Sequence, residues 1–280
     1  MPGTETYHGL SQPFRIQKRL VLNQCFRKIS SVGFPTNVNY VTFGGEDLYD
    51  IMDLLSVFDV LKHKFRIISY EEDQAVAKRA QACPVGASLA KIPTISVQVV
   101  PTAFFDNAAP LHAVRDSGRF IYFLDDTKTF REPQAEVVLS LLASGLLREA
   151  DWLLITSCLT PRVVRQAGFM GRFEDTFRLF YKKSDRVDLE FRIRNHVDLL
   201  LALIFSRHQA METDIRSQLR PSLVAKYKYR DTRSEMGLWL FRIDAGGPIT
   251  ALADRSFERF LEEIEQLFKE KEAAVPNIFD

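Results

Sequence analysis

Residues 39–73 constrain the fold of this 280-residue chain more than any other stretch. Residues 40–43 (Tyr-Val-Thr-Phe) form a short β-prone run, which Gly44 and Gly45 end at once. From residue 46 to residue 58 the apolar side chains recur at the spacing of one helix face, with two acids at the start. The stretch therefore begins with a predicted strand, glycine turn and amphipathic helix.

The end of the same stretch carries acidic side chains where a ligand site would need them. Residues 65–70 are β-prone and run directly into Glu71, Glu72 and Asp73. In nucleotide-binding α/β sheets the backbone near the glycine turn approaches the ligand, and a carboxylate about 20 residues or more downstream binds ribose hydroxyls. The first unit of such a sheet typically has this order: a strand, a glycine turn, a helix, a second strand and an acid.

The remaining strands are predicted from apolar runs that alternate with helix-prone segments. Residues 92–100, 119–124 and 152–158 are three further candidates, and residues 119–124 are almost wholly apolar, as in a parallel strand buried on both faces. Residues 223–229 and 237–243 have the pattern of an antiparallel hairpin. The sequence therefore predicts an α/β fold, a doubly wound and mostly parallel sheet closed by a terminal antiparallel hairpin.

The chain divides into four predicted segments. Residues 1–38 hold a tail and a basic helix, and residues 39–167 form the Rossmann-like core. Residues 168–221 are longer than a crossover helix requires, so we expect a helical cap that shapes the substrate or partner site. Residues 222–280 supply the hairpin and a last helix. Interleaved charges in the cap are typical of a solvated helix with ion pairs, and the alternative is a patch for a polyanion.

Charge, cysteine content and hydropathy limit the partners and the location that we expect for this protein. The net charge of +1 provides no overall basic field for nucleic acid, so a nucleic-acid partner is possible but not favoured. Three scattered cysteines indicate reduced thiols, and the five histidines lack metal-ligand spacing. The first eight residues are polar, and the longest apolar run, residues 197–205, is far below the ~20 residues of a membrane span. We expect a cytoplasmic protein without a membrane partner or a metal.

The predicted N-terminal helix, residues 14–29, has a basic face. Its cations are Arg15, Lys18, Arg19, Arg27 and Lys28. A basic helix face is typical of a solvated surface. The alternative is contact with a phosphate-bearing substrate.

These features resemble the class I S-adenosylmethionine-dependent methyltransferases, whose sheets also end in a hairpin after five alternating strands. The detailed likeness is to a bacterial group of O-methyltransferases and covers roughly residues 10–160. The motifs that carry it are Tyr40-Val-Thr-Phe-Gly-Gly45 with Asp50, Ile68-Ser-Tyr-Glu71 with Asp73, Phe123-Leu-Asp125, and a basic N-terminal helix with Gln17, Lys18 and Arg19. The resemblance implies a methyltransferase-like Rossmann fold with S-adenosylmethionine as cofactor.

The resemblance also implies roles for individual residues at the carboxyl ends of the strands. The implied cofactor-binding residues are Phe43, Gly44, Gly45, Glu71, Thr102 and Asp125. Gly44 and Gly45 would let the backbone pass close to the methionine moiety, and Glu71 would accept hydrogen bonds from both ribose hydroxyls. Thr102 would lie at the adenine. Asp125 would lie beside the transferable methyl group and the substrate.

Several of these residues have a second interpretation. Asp125 and Asp126 are the candidate catalytic bases, and both also suit the end of a strand that enters a turn. Glu71 also suits the first turn or N-cap of a helix. Glu72 replaces it as the ribose ligand if the strand register slips by one residue. The glycine pair also suits a plain turn.

Two classes of function remain open. The first is an S-adenosylmethionine-dependent methyltransferase that modifies an oxygen or nitrogen of an unknown substrate. The second is a catalytically silent, methyltransferase-like subunit that binds a protein or nucleic-acid partner. A single adjacent glycine pair, in place of two or three alternating glycines, favours the second class. The chain also lacks an Asn/Asp-Pro-Pro-aromatic tetrad after the fourth strand, which argues against a nucleobase N-methyltransferase.

Overall fold

The structure is a computed structural model that describes residues 13–43, 48–102, 107–125, 132–159, 197, 201, 204–205, 218–231 and 234–245. The helices within these ranges are α1 (Pro13–Ser31), α2 (Tyr49–Val57), α3 (Gln74–Ala82), α4 (Pro84–Leu89), α5 (Ala109–His112) and α6 (Glu132–Ala143). The strands are β1 (Asn37–Thr42), β2 (Lys64–Tyr70), β3 (Ile95–Val100), β4 (Arg119–Leu124), β5 (Trp152–Cys158), β6 (Leu219–Asp231) and β7 (Ser234–Ala245).

The seven strands form one mixed sheet in the order β3-β2-β1-β4-β5-β7-β6. Strands β1 to β5 are parallel to their neighbours, and β7 is antiparallel to both β5 and β6. In the centre of the sheet Val41 pairs with Ile68 on one side and Tyr122 on the other. This order confirms the predicted α/β fold class with its terminal antiparallel hairpin, the methyltransferase-like Rossmann arrangement.

The core has two layers because side chains alternate between the two faces of each strand. On β4, Ile121 and Phe123 are buried on the face that packs against α1 and α2. Phe120, Tyr122 and Leu124 are buried on the opposite face, with α6. Both faces of the central strand are therefore covered by helices, which explains why its sequence is apolar almost throughout.

The ends of some elements differ from the predictions. Strand β1 begins at Asn37, three residues before the predicted start, because residues 37–39 pair with β2. The prediction missed these residues because asparagine has a low strand propensity. Strand β3 begins at Ile95 rather than residue 92. Pro84 does end α3, as predicted, but it also starts the unpredicted helix α4, since proline suits the first turn of a helix.

The hairpin strands are longer than predicted, and β6 begins three residues before the predicted boundary at residue 222. Four residues of the predicted apolar helix at 197–205 are described. All four are helical and buried in the α6 layer: Val197, Leu201, Ile204 and Phe205. The rest of the predicted cap before residue 218, and the predicted last helix, lie outside the described residues.

Candidate functional site

The strand order brings the predicted ligand residues to one edge of the sheet. Thr102 follows β3, Glu71 follows β2, Phe43 follows β1 and Asp125 follows β4. Because these strands are adjacent and parallel, the four residues lie in that order along the carboxyl edge. The structure therefore places together residues that are up to 82 positions apart in the chain (from 43 to 125).

Asp125 is held by two other elements. The Lys18 ammonium on α1 donates to both carboxylate oxygens, with Nζ 2.8 Å from Oδ1 and 2.6 Å from Oδ2. Thr156 on β5 donates its hydroxyl to Oδ1 at 3.0 Å. The side chains of Lys18 and Asp125 are 22% and 25% exposed, so the ion pair is partly open to solvent.

Asp50, in the first turn of α2, is a second carboxylate in this region. The Tyr40 hydroxyl donates to its Oδ2 at 2.7 Å. Burial raises the pKa of Asp50, and the nearby Asp125 raises it further, while the hydrogen bond from Tyr40 and the charge of Lys18 lower it. The two carboxylates and the ammonium thus act on one another electrostatically. We call Lys18, Tyr40, Asp50, Asp125 and Thr156 the carboxylate cluster.

Glu71 is half-buried at the end of β2, whereas its neighbour Glu72 is exposed. The backbone N–H of Asp73 donates to Glu71 Oε1 at 3.0 Å. Burial raises the pKa of Glu71, and the Asp73 hydrogen bond opposes this shift. The N-cap of α3 is Asp73, which accepts hydrogen bonds from the backbone of residues 75 and 76. The alternative in which Glu71 caps this helix is therefore wrong.

Thr102 and Phe43 flank Glu71 along the edge. The Thr102 hydroxyl is buried without a hydrogen-bond partner within the described part of the chain. The Phe43 ring lies 6.3 Å from the ring of Tyr70, and the Tyr70 hydroxyl donates to the backbone carbonyl of Asn107 at 2.9 Å. An aromatic pair, a half-buried carboxylate and a buried hydroxyl therefore line this part of the edge.

Three consecutive side chains on α1 bind three separate elements. Gln17 Oε1 accepts from the backbone N–H of Arg230 on β6 at 2.9 Å. Lys18 reaches the end of β4, as described above. Arg19 Nη2 donates at 2.9 Å to Asp53 on α2, whose side chain is only 5% exposed. Lys18 and Arg19 therefore both pair with carboxylates of other elements, while the Arg19 side chain stays 41% exposed.

The remaining predicted site residues, Gly44, Gly45 and Asp126, lie outside the described residues. The predicted roles of the site residues stay predictions. Sequence reasoning did not assign Asp50, Tyr40 or Thr156 to the site. Asp50 and Tyr40 stood within the motifs that carry the family resemblance, and that was the available signal, whereas nothing in the sequence indicated Thr156.

The described residues hold no cluster of three or more histidine, cysteine or acidic side chains that could bind a metal ion. Within the same part of the chain, every helix is too short or too polar to cross a membrane.

No protein-family model matches the chain, and no curated protein matches it either. Several solved structures are similar. The 23S rRNA methyltransferase ErmE is 13% identical, with 90% of this chain and 77% of that chain covered and a TM-score of 0.43. Magnesium protoporphyrin IX methyltransferase from Synechocystis PCC 6803, with bound SAH, is 8% identical over 86% and 90% of the two chains, with a TM-score of 0.44. An rRNA methylase from Streptococcus thermophilus is 10% identical, with 85% of this chain and 99% of that chain covered and a TM-score of 0.40.

Proposed function

We propose that this protein is an S-adenosylmethionine-dependent methyltransferase that acts on an oxygen or nitrogen of its substrate. The observation that carries the proposal is Glu71, a half-buried carboxylate at the carboxyl end of β2. It lies beside the end of β1, the strand that precedes Gly44 and Gly45 in the sequence. A carboxylate offers two acceptor oxygens, which is what two neighbouring ribose hydroxyls require.

Two further features fit this cofactor. The Asp73 N–H binds Glu71 Oε1 and orients the carboxylate before a ligand arrives. The Thr102 hydroxyl, buried without a partner in the described ranges, lies one strand further along the edge, where the resemblance implies the adenine. A buried hydroxyl without a hydrogen bond costs free energy, so a ligand that supplies the bond gains affinity.

The described residues suggest that the protein acts mainly by orientation. The cofactor supplies an electrophilic methyl group on a sulfonium, and the protein must hold it in line with the acceptor atom. Glu71 would hold the ribose, and Asp125 would lie near the methyl group. The carboxylate of Asp125, the predicted base, is already held in place by Lys18 and Thr156.

Calorimetry on the purified full chain tests the proposal. We expect S-adenosylmethionine and S-adenosylhomocysteine to bind with measurable heat. The absence of heat with either ligand at millimolar concentration would overturn the proposal and favour the silent, partner-binding subunit.

A further inference from the structure

A recess of about 200 Å³ opens at the amino ends of the parallel strands, on the edge of the sheet opposite the candidate functional site. It lies among the starts of β1, β2 and β3 and the turn before β4. Its polar lining includes Asn37, Asn39, Lys64, Arg66, Ser96 and Ser117. Lys64 and Glu71 lie at opposite ends of the seven-residue strand β2, roughly 23 Å apart, so the recess is separate from the predicted cofactor residues.

One row of polar side chains crosses three strands in this recess. Asn39 on β1 pairs with Arg66 on β2, and Arg66 pairs with Ser96 on β3. All three side chains lie on the face of the sheet that α6 covers further along, because Val41 and Ile68, two residues beyond Asn39 and Arg66, belong to that core layer. Since neighbouring strands lie about 4.8 Å apart, the row spans roughly 10 Å.

Asn39 brings a hydrogen-bond donor that has no acceptor. Its side chain is only 1% exposed, and Nδ2 is buried without a hydrogen-bond partner in the ranges that the structure describes. A buried amide donor without an acceptor costs free energy, which a ligand oxygen in the recess would recover. The recess is larger than one water molecule needs, so it has room for a ligand with several polar atoms.

The charge of the lining favours an anion. Lys64 and Arg66 are cationic, and the described residues that line the recess include no acidic side chain. Arg66 Nη1 donates to the Ser117 hydroxyl at 2.8 Å, a contact that holds the guanidinium and leaves its other N–H groups for a ligand. The planar guanidinium matches the oxygens of phosphate, and a lysine adds a positive point charge.

We propose that this recess binds a phosphate group, as inorganic phosphate or as the phosphate monoester of a small molecule. The Asn39 amide donates to the innermost oxygen, and Lys64 and Arg66 neutralise the charge. Because Asn39, Arg66 and Ser96 belong to three different strands, they reach the ligand from several directions. A tetrahedral phosphate presents oxygens in several directions and fits this arrangement better than a planar carboxylate. The proposal is independent of the cofactor, since the site lies at the other edge of the sheet.

Calorimetry on the full chain with inorganic phosphate, at constant ionic strength in chloride, tests the proposal. We expect saturable binding, and Arg66→Met should weaken it by about tenfold or more, because a charged donor is lost. The matched control is Arg119→Met. Arg119 is an exposed arginine at the start of β4, on the opposite face of the sheet with Ile121 and Phe123. Its removal should change the phosphate affinity by less than about twofold.

A second variant and a second measurement address Asn39. Asn39→Asp keeps the shape of the side chain but replaces the donor by a negative charge, so it should abolish phosphate binding. Its fold is checked by the unfolding transition. In the wild type, the side-chain amide signal of Asn39 in NMR spectra should shift as phosphate is added. Addition of chloride to the same concentration should leave that signal in place.

Each result decides for or against the site. Selective loss in Arg66→Met together with the Asn39 shift supports it, even if S-adenosylmethionine does not bind and the proposed function fails. The absence of saturable phosphate binding at millimolar concentration, or equal weakening by Arg66→Met and Arg119→Met, overturns it. If a short RNA binds in an Arg66-dependent manner and displaces phosphate, the recess serves a nucleic-acid backbone and the assignment to a small molecule is wrong.

Discussion

The indole ring of Trp239 lies directly over Gly237, two residues earlier on β7. A Cβ atom at position 237 would lie 2.4 Å from two carbons of the ring, closer than any normal contact. Trp239 is fully buried, and the Lys226 ammonium on the paired strand β6 lies 5.8 Å from its ring centroid. The ring therefore has little room to move, and position 237 must be glycine for the two strands to pack as they do.

We expect Gly237→Ala to lower the free energy of unfolding by about 1–3 kcal/mol, because the added methyl group overpacks the core. Chemical denaturation measures this loss. The matched control is Gly86→Ala in α4, where the added Cβ would meet its nearest atoms at 3.7 and 3.8 Å. That variant should be neutral or slightly stabilised, since alanine is the better helix former. Equal effects of the two substitutions would contradict the packing argument.

A buried ion pair holds the start of β4 to the start of β5. Arg115 Nη2 donates to Asp151 Oδ2 at 2.9 Å, and the guanidinium lies 4.8 Å from the centre of the Phe120 ring. Asp151 also accepts from the backbone N–H groups of Phe120 and Arg148. Burial raises the pKa of Asp151 to about 6, while Arg115 and these N–H groups lower it.

The stability of this pair should depend on pH. The pKa of Asp151 is higher in the folded chain than the ordinary 3.8, so the folded state favours the protonated carboxyl. The stability that Asp151 contributes to the protein is therefore complete below about pH 4 and is lost as the pH rises to about 6. Arg115→Met removes the positive charge that lowers this pKa. The loss should then be larger and extend to higher pH, reaching about 3–5 kcal/mol relative to wild type at pH 8.

Urea unfolding of wild type and Arg115→Met at pH 4, 6 and 8 measures this difference. Lys62→Met, which removes a cation paired with Asp59 at the surface, is the control and should stay within about 1 kcal/mol at each pH. A deficit in Arg115→Met that is constant from pH 4 to pH 8 would show that packing of the arginine stem, rather than its charge, accounts for the loss.

Ala150 adopts a left-handed backbone conformation just before β5, with a φ of 66°. Its N–H donates to the carbonyl of Ile243 on β7 at 2.6 Å, so sheet pairing holds it there. A non-glycine residue in this region costs roughly 1–2 kcal/mol, and glycine avoids most of that cost. Glycine also increases the conformational entropy of the unfolded chain, which offsets part of this gain. We therefore expect Ala150→Gly to raise the free energy of unfolding by up to about 1 kcal/mol.

The control for this substitution is Ala143→Gly at the end of α6, which should lower the free energy of unfolding by roughly 0.5–1 kcal/mol. Both values come from chemical denaturation. Destabilisation by Ala150→Gly as large as in Ala143→Gly would mean that the left-handed conformation carries no strain.

Glu71 and Glu72 form a matched pair of neighbouring carboxylates, one half-buried and one exposed. Glu71→Gln should weaken S-adenosylmethionine binding by about 1.5–3 kcal/mol, or roughly 10- to 150-fold, because the ribose hydroxyls lose a charged acceptor. Glu72→Gln should change the affinity by less than about twofold, since an exposed carboxylate adds little. Calorimetry on both variants is the measurement. The reverse result would assign the ribose to Glu72.

Much of the sheet was predictable from local patterns. The bounds of β4 and β5 match the apolar runs at residues 119–124 and 152–158, and the hairpin was expected where β6 and β7 lie. Glu71 and Asp125 were placed at strand ends because an apolar run that stops at an acid marks the edge of the core. These features follow from the sequence because strand burial and turn chemistry act over a few residues.

The contacts at the edge were decided by the tertiary structure alone. Lys18 meets Asp125 across 107 positions, and Thr156 approaches the same carboxylate from β5. The basic pattern of α1 is equally compatible with a solvated face, so its sequence does not specify a carboxylate partner. Two features of the tertiary structure bring the partner to Lys18: the strand order sets β4 beside β1, and α1 packs against α2 and β6. Side chains that are distant in sequence meet only where the packing of the sheet and its helices brings them together.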